Sequence, residues 1–126
     1  MAITQITIQT PANEILFSDT AIGNALDAIK ASSAKIYYLT VDNTANVAAS
    51  YLKLFNVASG SVTLGTTAPD EVILCPGSVI TTVVYGTAAA PGKTFGTALT
   101  AACVTTGGTG GTVSPASSVV LTVSYV

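Results

Sequence analysis

The stretch from Ile36 to Asn56 constrains the fold more than any other part of the chain. Ile36–Val41 is rich in β-branched and aromatic residues, which suit a pleated surface packed on at least one side. Ala49–Phe55 alternates, with Ser50, Leu52 and Leu54 on one face and Tyr51, Lys53 and Phe55 on the other. Successive strand side chains point to opposite faces, so Leu52 and Leu54 are expected in a core and Lys53 in water. Asp42-Asn43-Thr44-Ala45-Asn46 between them is turn chemistry, because Asx side chains cap their own backbone and tolerate left-handed φ. Asp42 to Ala48 is too short for a parallel crossover, so the two segments are expected to pair as antiparallel neighbours.

Taken from the start, Ile3–Thr10 alternates as a strand and Pro11-Ala12-Asn13 ends it, since proline cannot donate to a ladder. Glu14–Phe17 reads as a brief strand. Ile22, Leu26 and Ile29 then recur at helical spacing behind the capping residues Ser18-Asp19-Thr20, which predicts a short helix over Thr20–Ala31. Val57–Pro69 is loop-like, with Val62 and Leu64 able to form a short strand. Glu71–Leu74 and Ser78–Tyr85 are strands on either side of the Pro76-Gly77 turn, followed by a small-residue loop, Gly86–Lys93. Phe95–Thr105 is a strand with a potential break at Gly96. Thr106–Thr112 is a glycine-rich tip, and Ser118–Val126 closes the chain as its most β-rich segment. The pattern predicts one domain over residues 1–126: an antiparallel β-sandwich, jelly-roll or Greek-key, of seven or eight strands.

Charge narrows the function. Charged residues are only 8% of the chain against 49% hydrophobic, where a soluble domain usually carries about a quarter charged. So uncharged a surface, rich in hydroxyls, is expected to be covered by copies of itself or by a larger partner. With four Lys, no Arg and no His, the chain has no basic patch for nucleic acid and lacks the commonest general base and metal ligand. Met1–Gln5 carries no basic leader, and no apolar run approaches the roughly 20 residues of a membrane span. The expected site of synthesis is therefore a cytoplasm.

Several groupings invite a chemical reading. Asp70 and Glu71 could be a glycosidase pair, but adjacent strand residues face opposite ways, so solvated charges are the simpler reading. Asp42, Asn43 and Asn46 could line a Ca²⁺ loop or form a plain Asx turn. Gly107–Gly111 lacks the Lys-Ser/Thr and helix of a phosphate loop. Tyr37, Tyr38, Tyr51, Tyr85 and Tyr125 could stack on sugars or pack in a core and interface. Cys75 and Cys103 are expected as two buried thiols rather than a disulfide. No catalytic, cofactor-binding or metal-binding residue is expected.

Tyr51-Leu52-Lys53-Leu54-Phe55-Asn56, preceded by Val41-Asp42-Asn43, resembles a hairpin of small tailed-bacteriophage virion proteins, written DN…YLKL(Y/F)(D/N). The G-T-x-x-P-(D/E) turn that follows it there is matched by Gly65–Asp70, and the G-x-x-F-x-T-(A/G)-L element by Gly92–Leu99. A terminal strand ending in tyrosine is matched by Val123–Val126, so the similarity runs from about Ile36 to the end. The resemblance implies a non-enzymatic β-sandwich or jelly-roll protein of the virion, made in the host cytoplasm. It would cement or decorate the capsid, as a homo-oligomer with a trimer favoured, against the major capsid protein. Neither nucleic acid nor membrane is an expected partner. The rival expectation is a tail or fibre-tip module that binds a host surface sugar or protein.

Overall fold

The computed structural model describes residues 11–86 and 92–126, and the expected strand Ile3–Thr10 and most of the loop Gly86–Lys93 lie outside them. Among the described residues, nine strands run in the order β1 (Ile15–Ile22), β2 (Asp27–Lys30), β3 (Ala34–Asp42), β4 (Ser50–Phe55), β5 (Glu71–Cys75), β6 (Ile80–Val84), β7 (Lys93–Phe95), β8 (Leu99–Val104) and β9 (Val119–Tyr125). Sheet A has the order β1-β9-β3-β6, with β7 continuing beside β3, and sheet B has the order β2-β8-β4-β5. All pairings are antiparallel. Two sheets interleaved in this way are a jelly roll, one of the two sandwich arrangements expected.

The expected hairpin between Ile36–Val41 and Ala49–Phe55 does not form. β3 pairs with β9 and β6, whereas β4 pairs with β5 and β8, so the two face each other across the sandwich. The reason is apolar burial: Ile36, Leu39 and Val41 on one strand and Leu52 and Leu54 on the other all meet in a single core. A flat hairpin would have left both apolar faces needing a further layer.

The helix over Thr20–Ala31 is also replaced, by the end of β1, a corner and β2. Ile22 and Ile29 are buried as the helical spacing required, but from two different strands. Tertiary bonds take the place of helical ones. Gly23 carbonyl accepts from the Cys103 N–H at 2.9 Å. Ser114 Oγ accepts from the Asn24 N–H at 2.9 Å, and Thr112 carbonyl accepts from Asn24 Nδ2 at 3.1 Å. Val62 and Leu64 form no strand; a 3₁₀ turn, Ser59–Ser61, precedes them. The break near Gly96 does occur, and it moves the chain from β7 in sheet A to β8 in sheet B.

Lys53 corrects a second expectation. Leu52 and Leu54 are core as read from parity, yet Lys53 is also fully buried. The outward face of sheet B is roofed by the chain's own loops. Residues 56–70 bring Val62, Val57 and Leu64 onto Phe55 and Ala102. The glycine-rich segment lies over Lys53, whose Nζ donates long bonds to the Thr109 and Gly111 carbonyls at 3.4 and 3.5 Å. Gly107 permits the approach, since a Cβ there would stand 2.9 Å from the Tyr51 ring. Burial pushes the Lys53 ammonium below the ordinary lysine pKa.

At the end of the sandwich where β3 finishes, Asn43 joins the β3–β4 and β5–β6 connections. Its Nδ2 donates to the carbonyls of Ala48, Cys75 and Pro76 at 3.1, 3.0 and 3.2 Å. Its Oδ1 accepts from Asn46 Nδ2 at 2.9 Å and Ser50 Oγ at 3.2 Å. Asn46 carries the network on to Ser117, donating from Nδ2 to its carbonyl and accepting its N–H at Oδ1. Gly77 is required here because a Cβ would collide with the Val47 carbonyl, and Ser78 takes the left-handed region at φ 64°.

Two outcomes test this account. Asn43→Ala should destabilise by about 3 kcal/mol, because buried carbonyls lose their donor, and Asn43→Asp by more, because a carboxylate would face those carbonyls. Chemical denaturation of both variants gives the ranking, and Asn43→Asp equal to wild type would refute it. Lys53→Met should match or exceed wild-type stability by up to ~2 kcal/mol, since the apolar stem is kept and no charge is buried, whereas Lys53→Ala should lose about 2 kcal/mol through the cavity. Equal losses in the two Lys53 variants would show that the ammonium itself holds the loop.

Candidate interaction surface

The two sheets present unlike outer faces. On sheet B the outward positions Lys53, Phe55, Thr100, Ala102 and Val104 on the central strands are buried, while Val72 and Leu74 on the edge strand β5 are exposed. On sheet A the only such cover among the described residues is local: Glu14 accepts from the Ser124 hydroxyl, and Ser124 is buried. The registers place the outward side chains of sheet A in rows: Leu16, Ser124, Tyr38 and Val84; then Ser18, Thr122, Thr40 and Thr82. A third row contains Val120, Asp42 and Ile80. The second row is a ladder of hydroxyls crossing all four strands. Leu16, Ile80 and Val84 are 57%, 58% and 51% exposed, large values for apolar side chains on regular strands. Ser118–Val126 and Ser78–Tyr85 are apolar on both faces in sequence, and they lie in this sheet as central β9 and edge β6.

Two shallow grooves flank the segment 114–118 at the loop end. One, of about 370 Å³, is lined by Ala45–Ser50, Thr105 and Pro115–Ser117. The other, of about 280 Å³, is lined by Ala21–Gly23 and Ser114–Ser118. Neither is lined by a carboxylate, thiol or lysine. Val47, 93% exposed, stands at the rim of the larger.

The groupings singled out in the sequence are distributed as follows. Asp70 accepts the Asn56 N–H at 2.6 Å, while Glu71 accepts from Tyr85 Oη at 2.6 Å and pairs with Lys93 at 3.3 Å. The two acids therefore serve separate fastenings and flank no common space. Asp42 accepts from the Thr44 N–H and hydroxyl at 3.0 and 2.6 Å, which lowers its pKa, and the amides of Asn43 and Asn46 are spent inside the loop network. Among the described residues, no cluster of three or more metal-ligating side chains occurs. The tyrosines form no common platform: Tyr125 reaches inward to the Ile29 carbonyl, Tyr38 lies on the outer face of sheet A and Tyr51 on that of sheet B.

Cys75 and Cys103 are free and buried, as expected. They lie on β5 and β8 with β4 between, roughly 10 Å apart by strand spacing, beyond the ~7 Å reach of a disulfide. Burial first, and for Cys103 its neighbour Cys75 next, pushes the thiols up to about 11 and about 12. Such thiols are inert as nucleophiles at neutral pH.

One pairing escapes a sequence reading. Asp19 and Asp27 meet carboxyl to carboxyl between β1 and β2, which belong to opposite sheets. Their proximity was hidden because a helix over Thr20–Ala31 would have separated them. Burial, then the Asp19 carboxylate, pushes Asp27 up to about 7. Its Oδ2 is buried without a donor.

The residues that carry the resemblance turn out to be fasteners. Asn56 Oδ1 accepts the N–H groups of Thr97 and Ala98 at 2.8 and 3.4 Å, and Asp70 donates its N–H to the Leu54 carbonyl at 2.9 Å. The YLKLFN, GTTAPD and GKTFGTAL segments are thus bonded together at one end of the sandwich, and Asn43 holds the other end. No family model matches the chain, and no curated protein is significantly similar to it.

The Asp19–Asp27 pair sets a pH dependence. Because the folded pKa of Asp27 is raised from 3.8 to about 7, the pair's contribution to stability is complete below about pH 4 and is lost as pH rises through 7. The melting temperature should fall across that window, and Asp27→Asn should flatten the fall. An unchanged slope in the variant would assign the dependence to other groups.

Proposed function

We propose that this chain is a non-enzymatic structural protein of a bacteriophage particle, a cement or decoration protein that binds the capsid surface and bridges neighbouring shell subunits. The observation that carries this reading is the outer face of sheet A: broad, hydroxylated, with exposed Leu16, Ile80 and Val84. A face of this kind suits another neutral protein surface better than water or a charged polymer. The jelly-roll order, which is common in viral coat proteins, supports the reading, as does the use of the resembling motifs as fasteners rather than as reactive groups. Function by this route is mechanical. Each copy adds a modest contact, and repetition over a lattice supplies avidity.

A second reading, a tail or fibre-tip module, is favoured by the larger groove and the exposed Val47 beside it. Here recognition would fall on the loops rather than on sheet A.

The deciding measurement is addition of the purified protein to shells assembled without it. Saturable binding at a stoichiometry comparable to the shell protein, together with a higher disassembly temperature, is the expected result. Failure to bind, with labelled protein found only on tails of intact particles, would replace the capsid reading with the tail one.

A further inference from the structure

We propose that the outer face of sheet A docks on the same face of a second copy, about a two-fold axis running along the strands. The inference rests on the reading of the chain as a structural protein with one broad neutral face; it makes a second copy the neutral surface that this face meets and leaves the loops and the rest of the surface to the shell.

Three features select a second copy as the occupant. The first is charge. Of the three charged side chains on this side, Glu14 is bonded to Ser124 in the first row, Asp42 stands in the third, and Lys35 lies beyond the first; two are already engaged, Glu14 accepting from the Ser124 hydroxyl and Asp42 from Thr44, and the middle row carries no charge. The centre is uncharged, so it desolvates cheaply only against an equally uncharged surface, and this chain supplies one.

The second feature is self-complementarity. About the stated axis, β1 of one copy faces β6 of the other and β9 faces β3. Leu16 then meets Val84 of the second copy, and the hydroxyl row meets its own image, Ser18 opposite Thr82 and Thr122 opposite Thr40. Hydroxyls both donate and accept, so such a row can bond to itself without a charge. Aligned packing of this kind is how sheets stack within a sandwich.

The third is size. Four strands at about 4.8 Å spacing and three rows at about 6.7 Å give a face near 19 by 20 Å. Two such faces amount to roughly 760 Å² in projection, below the ~1,000 Å² of a stable specific interface, which predicts a weak, reversible, concentration-dependent dimer.

The test is sedimentation equilibrium of the full chain over a dilution series. Wild type should interconvert between monomer and dimer. Thr82→Lys should raise the dissociation constant roughly tenfold or more, because two ammonium groups enter the uncharged contact. Adding Ser18→Glu to Thr82→Lys should restore association, since the stated axis places those two positions opposite each other. Leu16→Ser should weaken it as well, and Val113→Lys, a charge on the exposed loop over sheet B, should leave it unchanged. Thr82 is exposed on an edge strand, so its variant should keep the wild-type melting temperature.

A wild type monomeric at every concentration overturns the proposal. So does an assembly, a trimer included, that ignores Thr82→Lys and Leu16→Ser, and that result leaves the capsid reading intact. A dimer that responds as described but does not bind shells upholds the interface and removes the capsid reading.

Discussion

The fold depends on one buried amide. Asn43 is fully buried at the point where β3 leaves sheet A, and its side chain bonds to the β3–β4 and β5–β6 connections. Through Asn46 the same network reaches Ser117 in the β8–β9 connection. A jelly roll must hand its chain from one sheet to the other at such connections, and their backbone groups have no ladder to enter. A buried carbonyl without a donor costs about 1–3 kcal/mol, so one amide that serves several of them largely decides whether the loop end closes. The main-chain geometry is shaped to it: Gly77 allows the loops to touch, and Ser78 accepts a left-handed backbone so that its N–H can bond to the Asn43 and Asn46 carbonyls.

With both ends fastened, by Asn43 at one and Asn56 with Asp70 at the other, the sheets are free to differ on the outside. Sheet B spends its long loops on a second small core around Phe55, Val62 and Ala102, and this buries even Lys53. Sheet A has no comparable loop among the described residues. Its outer face stays open and hydroxylated, with apolar side chains at its margins. The asymmetry leaves one broad neutral surface on sheet A. The Asp19–Asp27 contact clasps the two sheets along the β1/β2 flank, and Tyr85, Glu71 and Lys93 clasp them along the other.

Local pattern determined a good deal. Period-two alternation marked most of the strands and placed Leu52 and Leu54 inward. The Asx cluster at Asp42–Asn46 marked a turn, and Gly96 marked a break. Composition indicated a surface with few charges. These are short-range properties, set by side-chain parity, turn chemistry and the inventory of charges. Alternation tells which residues share a face.

It does not tell what lies opposite that face, and the rest was decided there. Lys53 has the parity of a solvent residue and is buried because Thr109 and Gly111, far along the chain, fold over it. Ile22, Leu26 and Ile29 have helical spacing and form a strand corner because Cys103 and Ser114 offer better partners than a helix would. β3 and β4 are consecutive yet face each other across the core, since stacking buries two apolar faces at once. The hydroxyl row of Ser18, Thr122, Thr40 and Thr82 exists only once strand order and register are set. Only tertiary closure brings such distant residues together, because the free energy of burial and hydrogen bonding depends on which surfaces meet and not on their order in the chain.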